Sequence, residues 1–256
     1  MEDGIRNLLH SNITISMVVL ALDTTTRGGS LALTRDGVPL EVYVGNPGRA
    51  HGERLPGEVI RLLARQRLAI SDVDLYAVAA GPGSFTGLRI GIATMQGLAL
   101  VNGRGIAAVS ALDALRTAIA AGESAAPSAA SGPTGLIGAW MDARRGEVFA
   151  ALYQNGSLLD GPDVGSPAAI LKRWGKIRQQ APIVFVGDGA LVYAGAIHSF
   201  LADQGRVVEP VPPLAPAIAR LAEALALAEA PLSPDAVRPL YVRRPDAELA
   251  RDRAKA

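Results

Sequence analysis

The 256-residue chain contains no cysteine. That absence excludes a disulfide framework, a thiolate nucleophile and a cysteine-held metal, and the expected compartment is a reducing cytoplasm. Aromatic residues make up only 4%. The basic pairs Arg144-Arg145 and Arg243-Arg244 have no aromatics interleaved, so the sequence gives no sign of a stacking platform for single-stranded RNA. Charge of one sign is lacking too, with 25 Lys and Arg against 24 Asp and Glu for a net charge of +1. A broad electrostatic footprint for nucleic acid is therefore absent, and any RNA contact must be local or belong to a partner. No charge-free apolar run approaches the ~20 residues that span a bilayer, so no membrane partner is expected. The opening MEDGIRNLLHSNITIS is acidic at its start and lacks the continuous apolar core of a secretory signal. Residues 1–16 are expected to form an extension, with Met17 as an alternative start.

What is present is a globular composition: 49% hydrophobic, 19% charged and a positive mean hydropathy of +0.25. Burial on that scale can offset the entropy of ordering, and the length suits one large domain or two compact halves. Val18–Leu22 reads as a strand ending at Asp23, and TTTRGG separates it from SLALTR as a hairpin. The Asp36-Gly37 turn leads to a third strand, VPLEVYV. Apolar residues at Leu55, Val59, Leu62 and Leu63 predict a helix over 51–66, followed by a buried strand at Leu75–Ala80. A helix over 84–100, a strand at Ile106–Val109 and a helix over 110–121 capped by Ser110 complete the order βββαβαβα.

Residues 122–133, GESAAPSAASGP, read as a linker or surface loop. The order then recurs. A strand at 134–141 ends at Asp142, EVFAALY follows, and Asn155-Gly156 turns into a short strand near 157–159. Then come a helix over 167–174, a strand at Ile183–Val186, a helix from Gly187, a strand at Val207–Val208 and an alanine-rich helix near 214–229. Two echoes support a duplication: ALDTTTRGGSLAL beside AWMDARRGEVFAAL, and VAAGPGS beside VFVGDGA. The organisation expected is an N-terminal unit over 17–121, a reduced C-terminal unit over 134–256, and a solvated tail.

The segment GPGSFTGLRIGIATMQGLA, residues 81–99, carries the densest signal. A helix start can bind phosphate through its unpaired N–H groups. A Walker loop, however, needs Lys and Ser or Thr after its second glycine, where Leu88 and Arg89 stand. The dinucleotide fingerprint needs glycine where Thr86 stands. The serine of GSFTG is displaced from a nucleophile elbow, so Ser84 reads as an N-cap. Gly87 and Gly91 share one helix face, beside Leu88, Ile92 and Met95, and with Gly97 they cost a lone helix roughly 2–3 kcal/mol relative to alanine. Close approach of another backbone offsets such a cost. From spacing alone that neighbour is the domain's own sheet or a second protein, and a phosphate is the remaining reading.

Other chemistry is sparse. His51 has Leu55 four residues on, so no H-x-x-x-H pair exists to hold metal, and His10 and His198 read as surface or capping residues. Asp23 and Asp142 at strand ends have two readings. They could hold Mg²⁺ in an ATP-dependent phosphotransferase or hydrolase, or each could cap the hairpin beside it. A peptidase lacks both a metal motif and a serine elbow.

VLALDTT at 19–25, HGERL at 51–55, the whole of 80–100, DARRGEV at 142–148 and PLYVR at 239–243 together resemble the TsaB family. That family is the dimerisation subunit of the bacterial tRNA threonylcarbamoyladenosine machinery. The likeness runs in order from about residue 17 to 244. It implies an α/β fold of the actin-like, sugar-kinase-like (ASKHA) kind, with duplicated βββαβαβα domains. It implies a non-catalytic subunit with no cofactor, paired with a paralogous TsaD-type enzyme that modifies adenosine 37 of tRNAs reading codons that begin with A. Further components such as a TsaE-type ATPase, a homodimer when isolated, and tRNA reached only through the complex are also implied. The family pairs through N-terminal helices, which makes Gly87, Leu88, Gly91, Ile92 and Met95 the candidate interface here.

Overall fold

A computed structural model describes residues 16–121 and 135–243. The expected 122–133 linker, the extension before Ser16 and the tail beyond Arg243 lie outside the described residues.

The first sheet begins with β1 (Val18–Asp23), whose residues are all buried, antiparallel to β2 (Ser30–Arg35) in the register Asp23 opposite Ser30. The pair continues into β3 (Val38–Val44) across the Asp36-Gly37 turn, where both residues have positive φ. On the other side β1 runs parallel to β4 (Leu75–Gly81), and β4 parallel to β5 (Gly105–Ser110), giving the order β3-β2-β1-β4-β5. The parallel steps need crossover helices. Helix α1 (His51–Arg65) supplies one and α2 (Phe85–Val101) the other; α3 (Ala111–Ala120) follows β5, capped by Ser110, which accepts from the Asp113 N–H.

The second sheet repeats this plan. It contains β6 (Leu136–Arg144), β7 (Glu147–Gln154), β8 (Ser157–Gly165), β9 (Ile183–Val186) and β10 (Gly205–Val207), ordered β10-β9-β6-β7-β8. Read from the meander side, both sheets run third, second, first, fourth, fifth strand, so the duplication legible in two short echoes extends to the whole topology. The helices of this half are α4 (Pro167–Ile177), α5 (Asp188–Val192), α6 (Ala194–Leu201) and α7 (Ala215–Ala228).

Three details differ from the sequence expectations. Strand β6 continues two residues beyond Asp142 through a bulge, because Arg144, Arg145 and Gly146 all take positive φ and turn the chain only there. Strand β8 is nine residues long rather than three. The helix after Gly187 breaks at Tyr193, whose φ of −110° and ψ of 23° are not helical.

The elements stack as five layers. Helices α1 and α2 cover the outer face of the first sheet, over Leu20, Leu22, Leu62, Tyr76 and Met95. Helices α4 to α6 cover the outer face of the second, where Trp140, Trp174 and Phe185 pack with ring centroids 5.1–6.0 Å apart. Between the sheets lie α3 and α7, in one continuous core that draws on both halves. Helix α7 follows the second sheet in sequence yet packs against β1, β2, β4 and β5 of the first, while α3 reaches across to β6. Alanines at 215, 217, 219 and 222, fully buried, thin α7 enough for that slot. The chain then returns along the first half: the Leu232 and Ile106 backbones bridge, the Gln96 amide donates to the Pro234 and Val237 carbonyls, and the Leu240 N–H donates to Ala80 O at 2.7 Å. No helix among the described residues is long and apolar enough to cross a membrane.

Candidate functional site

Strand β1 leads through the buried Asp23 and Thr24 to Thr25, which lines a cleft between the halves. Asp23 is fully buried; its carboxylate accepts from the Thr25 N–H at 2.8 Å and the Thr25 hydroxyl at 2.5 Å. Desolvation raises its carboxyl to about 6 against those hydrogen bonds, with the charge of Asp188 adding to the shift. The turn after β4 closes over this loop. The Ser84 N–H donates to Thr25 O at 2.9 Å, the Ser84 hydroxyl caps α2 by accepting from the Gly87 N–H, and a Cβ on Gly83 would run into Thr25.

Helix α2 therefore rests directly on the β1–β2 loop. A Cβ at Gly87 would strike the Thr24 carbonyl and one at Gly91 the Thr24 hydroxyl. Leu88, Ile92 and Met95 are buried, the last two in the core beneath α2. All five candidate interface residues thus face inward, against their own chain, and none offers a side chain to solvent. The reason is the 100° step of the helix: the glycines that let the backbone approach the Thr24 loop share their face with the three apolar residues. The surface α2 does present is the opposite one, with Thr86, Arg89, Ala93, Gly97, Leu100 and Val101 exposed, the last two at 72% and 87%. A Cβ at Gly97 meets nothing. Helix α1, in contact with α2, exposes Pro56, Ile60 and Ala64 of its own, Ile60 at 67%.

The loop is held from the α1 side by Arg54. Its guanidinium pairs with Glu58 at 2.7 Å with both side chains almost fully buried, and donates to the Gly28 carbonyl. His51 sits beside it, its Nε2 3.0 Å from the Thr26 carbonyl oxygen, and desolvation lowers its pKa. Each of its ring nitrogens has a neighbour within its own chain. In the second half the same device recurs. A Cβ at Gly187 or Gly189 would run into the Trp140–Asp142 backbone, as Gly83 does with Thr25. Asp142 accepts from the Arg144 N–H and pairs with the Arg144 guanidinium at 2.8 Å, so it serves the hairpin beside it. Asp188 accepts from the Asp142 and Gly189 N–H groups, and burial raises its carboxyl.

The cleft has a volume of about 920 Å³ and is lined from both halves, by the β1–β2, β3–α1 and β4–α2 loops on one side and the β6–β7 turn on the other. Residues 240–243 of the returning segment line it too. Tyr241 stacks on Phe85 at 5.5 Å, and Arg243 donates to Ala143 O and pairs with Glu147.

The family model of TsaD, tRNA N6-adenosine threonylcarbamoyltransferase, matches residues 46–251. The tRNA threonylcarbamoyladenosine biosynthesis protein TsaB of Bacillus subtilis is 31% identical over 193 residues, covering 74% of this chain and 79% of that protein. The chain belongs to the TsaB family. The TsaB of Escherichia coli is 38% identical over 138 residues, 54% of this chain and 55% of that protein. A crystal structure of a Pseudomonas aeruginosa protein described as similar to the peptidase YeaZ matches with a TM-score of 0.72 at 29% identity, covering 89% of this chain and 100% of that one. The fold is the duplicated actin-like α/β fold, and family membership places the chain in the tRNA threonylcarbamoyladenosine system.

The actin-like fold brings with it the question of a magnesium nucleotide, and the carboxylates of this TsaB-type cleft do not fit one. Asp23 lies beneath the loop and is engaged by Thr25, Asp142 is paired with Arg144, and Asp188 receives two backbone donors. Among the described residues no three His, Asp or Glu side chains are grouped to hold a metal ion. Sequence reasoning missed the Arg54–Glu58 pair and the closure of the cleft by Leu240–Arg243. The first looks like any exposed i, i+4 helix pair. The second joins segments some 150 residues apart, for which a lone sequence carries no signal.

Proposed function

We propose that this chain is a non-catalytic pairing subunit that docks a TsaD-type enzyme through the outer face of α1 and α2, in the modification of adenosine 37 of tRNAs. The observation that carries the reading is the contrast along α2. Gly87 and Gly91 are consumed by the chain's own loop, whereas Gly97 opens onto solvent on the face of α2 that exposes Ala93, Leu100 and Val101, and the neighbouring α1 exposes Ile60. A smooth apolar strip flanked by small residues admits a partner helix at close range. The TsaD-type partner is argued from the relatives' shared biosynthetic role and from a TsaD model that spans most of this chain. In isolation the same strip self-associates as a homodimer. A TsaE-type ATPase joins through the resulting complex.

The alternative, an ATP-dependent phosphotransferase, relied on Asp23 and Asp142 facing magnesium, and both carboxylates are occupied by their own hairpins. Co-purification with the TsaD-type enzyme of the same genome tests the pairing. Gly97→Arg and Ala93→Glu, placed where the fold is open, are expected to weaken pairing at least a hundredfold without a marked loss of melting temperature. Undiminished pairing in both variants would move the interface elsewhere.

A further inference from the structure

The fold collects single arginines and one basic pair that are scattered along a chain of nearly zero net charge. Arg27 from the β1–β2 loop, Arg49 from the β3–α1 loop, Arg144 and Arg145 from the β6–β7 turn and Arg243 from the returning segment all line the one cleft. The acids lining it are two, Asp142 and Asp188. Asp142 is paired with Arg144, Asp188 accepts from the Asp142 and Gly189 N–H groups, and Glu147, outside the lining, pairs with Arg243. The surplus is positive, and it is carried by arginine, whose planar fork suits phosphate oxygens. Arg144 and Arg145 are held at φ of 61° and 58°, a conformation rarely taken by long side chains, in a turn that keeps both exposed.

Aromatic rings stand on the same lining. Phe85 at the start of α2 and Tyr241 of the returning segment, 156 positions apart, stack on one another while remaining 42% and 37% exposed, and the Arg89 guanidinium lies 3.8 Å from the Phe85 ring centre. Exposed rings beside a basic groove are the combination that single-stranded nucleic acid requires: backbone charge is neutralised and a base finds a flat face. The low aromatic content argued against such a platform, yet the fold brings two rings that sequence keeps apart together on the cleft lining.

We infer that the cleft between the two halves holds a single-stranded RNA segment, its phosphates on the arginines of the four cleft segments and a base against the Phe85–Tyr241 pair. Metal plays no part in this grip, in keeping with carboxylates that are already engaged. The choice of RNA over another polyanion rests on the family's tRNA role. The cleft lies away from the Gly97 stretch of α2, so a loss of docking and a loss of RNA binding are separable.

The test is fluorescence anisotropy of the full chain with a labelled 12-nucleotide single-stranded RNA at several salt concentrations. The expected result is binding that weakens with salt. The double variant Arg144→Asn, Arg145→Asn keeps residues that tolerate positive φ. It is expected to bind at least tenfold more weakly, with a log–log salt slope shallower by at least about 0.7, one phosphate's worth on a single strand, since Arg144 is shared with Asp142. Tyr241→Leu is expected to lose about tenfold in affinity with the slope unchanged. Lys176→Asn, an exposed charge on α4 remote from the cleft, is expected to bind as the parent does. Absence of binding at low salt, equal weakening by Lys176→Asn, or full displacement of the RNA by stoichiometric ADP would each overturn the inference, the last by making the cleft a nucleotide pocket. None of these outcomes bears on pairing through Gly97.

Discussion

The two faces of α2 carry the same residue type for opposite reasons. On the inner face Gly87 and Gly91 leave room for the carbonyl and hydroxyl of Thr24, so the missing side chains are replaced by the chain's own loop. On the outer face the missing side chain of Gly97 is replaced by nothing within the chain. A glycine in a helix costs about 1 kcal/mol relative to alanine, and only a close neighbour makes that tolerable. The inner pair has its neighbour already, and the outer residue has none within the chain, which is the contrast on which the proposed docking face rests.

Substitutions should separate the faces by size and by sign. Gly91→Val drives two methyl groups into the Thr24 hydroxyl, which is already buried without a hydrogen-bond partner. A loss of about 3 kcal/mol or more in urea unfolding is expected, and a stable Gly91→Val protein would dissolve the contrast. The opposite behaviour is expected on the outer face, where Gly97→Arg abolishes pairing with no loss of stability.

The loop beneath the inner face has its own signature. Burial favours the neutral Asp23 carboxyl, so its contribution is fully present below pH 4 and is lost as pH rises through about 6. Stability should fall by on the order of 2 kcal/mol across that window. Asp23→Asn should flatten the profile, leaving the smaller slope that Asp188, shifted in the same direction, supplies. Thermal melts at pH 4, 5, 6 and 7 decide it. The smallest effect is Gly97→Ala, expected to raise stability by about 0.5–1 kcal/mol through helix propensity alone. The same change at Gly91 should lower it, because there the clash outweighs the propensity gain.

Much of the architecture was legible in the sequence. Strand alternation, the Asp36-Gly37 and Asn155-Gly156 turns and the Ser84 and Ser110 caps are local signals, and each appears in the fold where the sequence put it. The duplication was readable because both halves reuse a glycine turn pressed on the end of their first strand. The orientation of α2 was not. Gly87, Leu88, Gly91, Ile92 and Met95 mark one face by spacing, and spacing does not say whether that face meets a sheet or a partner. The returning segment at 231–243 was equally hidden, since Leu240 and Ala80 or Tyr241 and Phe85 meet only after α7 has crossed back over the first sheet.

By itself the sequence determined the order of elements, the internal repeat, the lack of thiol chemistry and, through a few contiguous motifs, the family. These follow from patterns within a few residues of one another, where backbone geometry leaves few choices. The tertiary structure alone decided which side of α2 is outside, that Asp23 and Asp142 are spent on their own hairpins, and that arginines from four distant segments converge on one cleft. Such facts depend on which surfaces are buried together, and burial is a property of the folded whole.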